Sequence, residues 1–108
     1  MKPIAIFTTT GSADEARRIA RTIVERQLAA CVQITEIESF YRWKGAVQNE
    51  TEWRLLIKST DAQYAAVEAA IRELHSYELP AIYSVAFDQA YAPYAEWIRE
   101  ESSGAGVR

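Results

Sequence analysis

Two amphipathic helix patterns, each set between strand patterns, and one very long hairpin pattern joining the two halves predict an α+β chain. The specific expectation is a ferredoxin-like βαββαβ sandwich with a long bent β-hairpin, both long helices on one face of the sheet, and a short C-terminal helix. The hairpin carries the most information. Residues 28–58 read LAACVQITEIESFYRWKGAVQNETEWRLLIK, with a turn at Lys44-Gly45. Each arm of roughly 13 residues spans about 44 Å at ~3.4 Å per residue. A compact domain of this length has a radius of gyration of about 13 Å, hence a diameter of roughly 34 Å. The arms outrun the body, and their edges, near Phe40, Tyr41, Trp43 and Trp53, call for a cover. Another copy of the same chain is the expected cover.

Taken in order, Ile4 to Thr10 is a β-branched, apolar run of strand length ended by Gly11. Ser12-Ala13-Asp14-Glu15 fits a capping box, with the Ser12 hydroxyl accepting from the Glu15 amide and the Glu15 side chain reaching back. Ala16, Ile19, Ala20, Ile23, Val24 and Leu28 then form an apolar stripe opposite Arg17, Arg18, Arg21, Glu25 and Arg26. In the first hairpin arm Val32 and Ile34 share one parity and Ile37, Tyr41 and Trp43 the other, which predicts a bulge or sharp bend at Thr35-Glu36. In the second arm Trp53, Leu55 and Ile57 alternate with Arg54, Leu56 and Lys58, while Gln48 to Glu52 is polar and reads as exposed or loosely paired. Thr60-Asp61-Ala62-Gln63 fits a second capping box before a helix striped by Tyr64, Val67, Ile71 and Leu74 and ending near His75. Pro80 precedes a fourth strand, Ile82 to Phe87, and Pro93 suits the first turn of the terminal helix with Tyr94, Trp97 and Ile98. One domain over 1–101 and a disordered tail over 102–108 complete the expectation.

The formal net charge of −3 opposes a partner held mainly through phosphates, so no nucleic acid is expected. The single cysteine, Cys31, has no intrachain partner and points to a reducing, cytoplasmic location. No stretch is apolar for long enough to suggest a membrane span.

Four places carry candidate chemistry. Cys31, among Ala29, Ala30 and Val32, reads either as a small buried hydrophobe or as a soft ligand for copper or another thiophilic metal, with His75 the one imidazole available to join it. The run His75-Ser76-Tyr77-Glu78-Leu79-Pro80 reads either as a helix C-cap or as a ligand pocket of His75, Tyr77 and Glu78, with Lys58 or Arg42 contributed from a strand. Thr8-Thr9-Thr10-Gly11-Ser12 can receive an anion, although capping explains it, and it lacks the lysine of a phosphate loop. Tyr41, Trp43, Tyr94 and Trp97 read as packing between elements or subunits. No catalytic constellation emerges. An acylphosphatase on this fold needs a basic loop after the first strand, which Thr9-Thr10-Gly11-Ser12 is not, and RNA stacking on Phe7 and Trp53 lacks the expected motif.

Leu28-Ala29-Ala30-Cys31-Val32, Ser39 with Tyr41-x-Trp43-x-Gly45, Ile57-Lys58, His75-x-Tyr77-Glu78-x-Pro80, and Tyr94 with Trp97-Ile98 together resemble the CutA family of divalent-cation tolerance proteins. The resemblance implies a non-enzymatic homotrimer paired through the long hairpins, similar to the PII signalling proteins, and a response to metal ions with copper or another divalent cation as ligand. A PII-like small-ligand sensor, or a trimeric scaffold for a protein partner, is the alternative.

Overall fold

The computed structural model describes residues 1–104. Strand β1 (Pro3–Thr10) leads to helix α1 (Ala13–Glu25), and β2 (Cys31–Trp43) and β3 (Ala46–Thr60) form the hairpin. A single 3-10 turn, Asp61–Gln63, opens helix α2 (Tyr64–Leu74), followed by β4 (Tyr83–Ala86) and α3 (Ala92–Glu101). The four strands lie in the order β2-β3-β1-β4, every neighbouring pair antiparallel. This is the ferredoxin-like arrangement, in which a right-handed crossover places β1 and β2 on either side of β3.

Alternation along the strands assigns the two sheet faces. Ile4, Ile6, Leu55 and Ile57 are buried against Ile19 and Ile23 of α1 and Val67 and Ile71 of α2. The other face carries Ala5, Phe7, Leu56, Lys58, Tyr83 and Val85. Helix α3 meets that second face, since the Lys58 ammonium lies 5.4 Å from the Tyr94 ring centroid. Much of it stays open, with Val85 52% exposed.

Helix α1 starts as its sequence dictates: the Ser12 hydroxyl accepts the Glu15 amide at 3.1 Å. The reciprocal arm of the box is not among the observed bonds. Glu15 turns instead into the protein and is buried. The second capping box does not form, because neither Thr60 nor Gln63 makes a side-chain cap bond. Asp61 is engaged elsewhere: its Oδ1 accepts the Lys2 amide and its own amide donates to the Lys2 carbonyl, both at 2.9 Å. The Lys2 amide, first among several causes, holds the Asp61 carboxyl below its ordinary range. This clamp joins the start of the chain to the end of β3.

The hairpin departs from expectation in one respect. Its register runs unbroken from Cys31↔Lys58 to Trp43↔Ala46, so there is no bulge at Thr35-Glu36; the polar run Gln48 to Glu52 is paired throughout, with Asn49, Glu50 and Thr51 exposed as expected. The change of parity has another cause. Val32 and Ile34 lie beside α1, whereas Ile37, opposite Glu52, belongs to a part of the hairpin whose other face is the one covered. Pairing of β3 with β1 stops at Trp53↔Thr10, so Ala46 to Glu52 and Ile37 to Trp43 form a two-stranded ribbon beyond the body. The longest dimension is 44 Å against a radius of gyration of 14.3 Å.

Lys44 and Gly45 both take positive φ, 51° and 82°, the requirement of a tight two-residue hairpin turn. A Cβ on Gly45 would meet no atom within 4 Å. Gly45→Ala therefore tests backbone strain alone, and an expected loss of about 1–2 kcal/mol should appear in urea unfolding.

The segment after α3 is better held than its composition predicts. Ser102 is fully buried and the Gly104 amide donates to the Gln27 carbonyl at 2.8 Å. The expected disordered tail over 102–108 is thus corrected for 102–104. Its remainder lies outside the described residues.

Candidate functional site

Where β1 ends, the segment after α2 crosses the sheet and meets the root of the ribbon. His75, the C-cap of α2, anchors the crossing, and its side chain is completely buried. Its Nε2 is 2.6 Å from the Thr9 carbonyl oxygen, which can only accept, so Nε2 carries the hydrogen. Nδ1 accepts the Tyr77 amide at 3.1 Å. Both ring nitrogens are committed. The carboxylate of Glu15, 3.8 Å from Nδ1, faces a nitrogen without a hydrogen, and its buried Oε1 has no hydrogen-bond partner.

Tyr77 is thereby aimed at β3. Its ring tilts against His75 with centroids 4.8 Å apart, and its hydroxyl donates to Glu52 Oε2 at 2.8 Å. Glu52, the first β3 residue without a β1 partner, is only 7% exposed. Burial and the Glu52 carboxylate push the Tyr77 phenol upward. Gly11 suits this close approach, because a Cβ there would make a tight contact of 3.1 Å with the Tyr77 hydroxyl. On the ribbon the Tyr41 hydroxyl donates to Glu50, and that bond, ahead of any other cause, raises its phenol to about 12.

These groups enclose a cleft of about 450 Å³ lined by Gly11, Tyr41, Trp43, Glu50, Ser76, Tyr77, Glu78 and Leu79. Its size is that of a small-molecule site. Among the described residues, both charged groups of the lining are carboxylates.

The sequence-predicted residues divide. Tyr77 and Glu78 line the cleft, whereas His75, expected in the pocket as a ligand residue, is outside the lining and holds Tyr77 from behind. Lys58 does not belong to it, sitting instead over Tyr94 at the far end of the sheet. Arg42 alternates onto the ribbon face opposite Tyr41. Cys31 is half-buried and pairs across the strand with Lys58. From His75, at Thr9, it is four residues along the sheet and two strands across, about 17 Å at the usual strand spacings. One chain does not bring Cys31 and His75 together as a metal pair. The aromatic set also separates: Tyr94 and Trp97 stack at 5.7 Å, while Tyr41 and Trp43 face the cleft. Phe7 and Trp53 fall on opposite sheet faces.

Glu50 and Glu52 are not among the sequence-predicted residues, and Gly11, expected in an anion-receiving loop, lines the cleft instead. The available signal was the polar run Gln48 to Glu52 inside a strand, where the shared parity of Glu50 and Glu52 marks one face of the ribbon as acidic.

Comparison with known proteins agrees with this architecture. The family model described as CutA1 divalent ion tolerance protein matches residues 4–101. The divalent-cation tolerance protein CutA of Archaeoglobus fulgidus is 35% identical over 95 residues, which is 88% of this chain and 93% of the relative. Its solved structure, described as periplasmic, is 33% identical and superposes with a TM-score of 0.90 over 93% of this chain and 98% of that one. CutA1 from the psychrotrophic bacterium Shewanella sp. SIB1 gives 0.89 at 37% identity, over 94% and 95% of the two chains. With the family's model spanning nearly the whole fold, hairpin and cleft included, this chain belongs to the CutA1 divalent ion tolerance family.

Proposed function

We propose that this chain works without catalysis, as a homotrimer in tolerance to divalent ions, with the cleft between the ribbon and the segment after α2 as its ligand site. The observation that carries the assembly is the ribbon. Ile37 to Trp43 and Ala46 to Glu52 pair only with each other, and Phe40 and Val47 are 68% and 66% exposed near its tip. Such a ribbon has two open edges and is marginal in water unless covered. Sedimentation at micromolar concentration is expected to give three times the 12.2 kDa chain mass. Phe40→Glu with Val47→Lys should shift the protein toward monomer, and a wild-type monomer would overturn the reading.

The ligand half of the proposal follows the donors available. Family membership implies a divalent metal, copper included, and the residues present do not fit one within a single chain. No three His, Cys, Asp or Glu side chains among the described residues converge on a point that could hold a metal ion. His75 has no nitrogen to spare, and Cys31 has the Lys58 ammonium on its neighbouring strand. These facts favour the sensor reading, in which the cleft takes a small ligand. The free thiol fits a cytoplasmic setting, although the Archaeoglobus relative is described as periplasmic. Among the described residues no helix is long and apolar enough to cross a membrane.

A further inference from the structure

We infer that the cleft recognises an organic cation, a primary ammonium or guanidinium group on a short carbon chain, and not a bare divalent metal. The inference rests on the reading that the cleft is the ligand site, and it names what that site takes.

Three aromatic rings, Tyr41, Trp43 and Tyr77, line the cleft beside the carboxylates of Glu50 and Glu78. Ring faces attract a cation through their quadrupole, and they do so best for weakly hydrated organic cations. A divalent metal gains little from such walls, because it holds its water and demands several oxygen, nitrogen or sulfur donors at fixed distances. The carboxylates cannot supply that set. Among the described residues they belong to no group of three such donors that could hold a metal ion, and one oxygen of Glu50 is already occupied by the Tyr41 hydroxyl. What they can do is accept single N–H bonds from a ligand that spans them.

The protein itself supplies an example of the contact. The Lys44 ammonium lies 5.9 Å from the Trp43 ring centroid, so this ring already receives a cation from the neighbouring residue. Clamping also favours the same ligand. Tyr77 is fixed by His75 on one side and Glu52 on the other, so its ring is in place before the ligand arrives. A preorganised wall loses less freedom on binding than a mobile one.

Calorimetric titration of the wild-type assembly with agmatine, magnesium chloride, copper chloride and neutral 1-butanol is the test. Agmatine is expected to bind, butanol not to bind, and Trp43→Leu and Glu50→Gln each to weaken agmatine about tenfold or more. Both substitutions are at exposed positions, so folding is checked by circular dichroism and not assumed. If a metal binds and Glu50→Gln abolishes it while agmatine does not bind, the inference fails and the cleft reading stands. Should no probe bind, or should binding be unchanged in both variants, the inference and the cleft reading fail together.

Discussion

Replacing Ile57 by alanine is expected to destabilise the protein by about 2–5 kcal/mol, among the largest losses open to a single side chain here. Ile57 is fully buried in the third strand, opposite Ile6 of the first and Val32 of the second. It therefore belongs to the middle of the one layer where the sheet meets both long helices. Truncation removes its transfer energy and leaves a cavity that a sheet bonded on both sides cannot close. The measurement is a fall of the urea midpoint at unchanged slope, made at fixed protein concentration because assembly contributes to apparent stability. Gln33→Ala, on an exposed position of β2, is the control and should change little. A loss below 1 kcal/mol at Ile57 would show that the core lies elsewhere.

How far the chain could be read in advance depends on the range of the interaction involved. The stripe of α1, the Ser12 cap and the Lys44-Gly45 turn are fixed by neighbours within a few residues, and each stands where its pattern places it. Strand parity is different, because the face a strand buries depends on what lies over it. Val32 lies beside a helix and Ile37 lies on the face that the Tyr77 crossing covers, so one strand of unbroken register changes its apolar parity without any bulge. The second capping box does not form: the Thr60 hydroxyl makes no cap bond, and Asp61 pairs with Lys2, 59 positions away in sequence. In the site, His75 and Tyr77 are legible as a pair because only Ser76 separates them. Glu50 and Gly11 reach the cleft, and Glu52 reaches the Tyr77 hydroxyl, only through the fold, and nothing local tells that the strand position of Lys58 lies at the other end.

His75→Ala is the substitution expected to disturb the site most, and its effects can be separated. The side chain is wholly buried and serves as a two-sided spacer, donating through Nε2 to the Thr9 carbonyl and accepting the Tyr77 amide at Nδ1. Alanine leaves the part-buried Thr9 carbonyl and Tyr77 amide without these partners, beside a small cavity. A loss of about 2–4 kcal/mol follows. It also frees Tyr77 from its aim at Glu52, so hydrogen exchange at the Tyr77 amide should speed up and any cleft ligand should bind more weakly. Two further variants divide these roles. In His75→Asn the side-chain oxygen stands near the place of Nδ1 and can still accept from Tyr77, while the bond to β1 is lost. In His75→Gln the amide nitrogen reaches the place of Nε2 and can still donate to Thr9, while Tyr77 loses its acceptor. If His75 acts through Tyr77, slow exchange and ligand affinity survive in the asparagine variant and fail in the glutamine variant. The opposite order would mean that the histidine serves the cleft by holding the end of β1, with Tyr77 positioned by Glu52 alone.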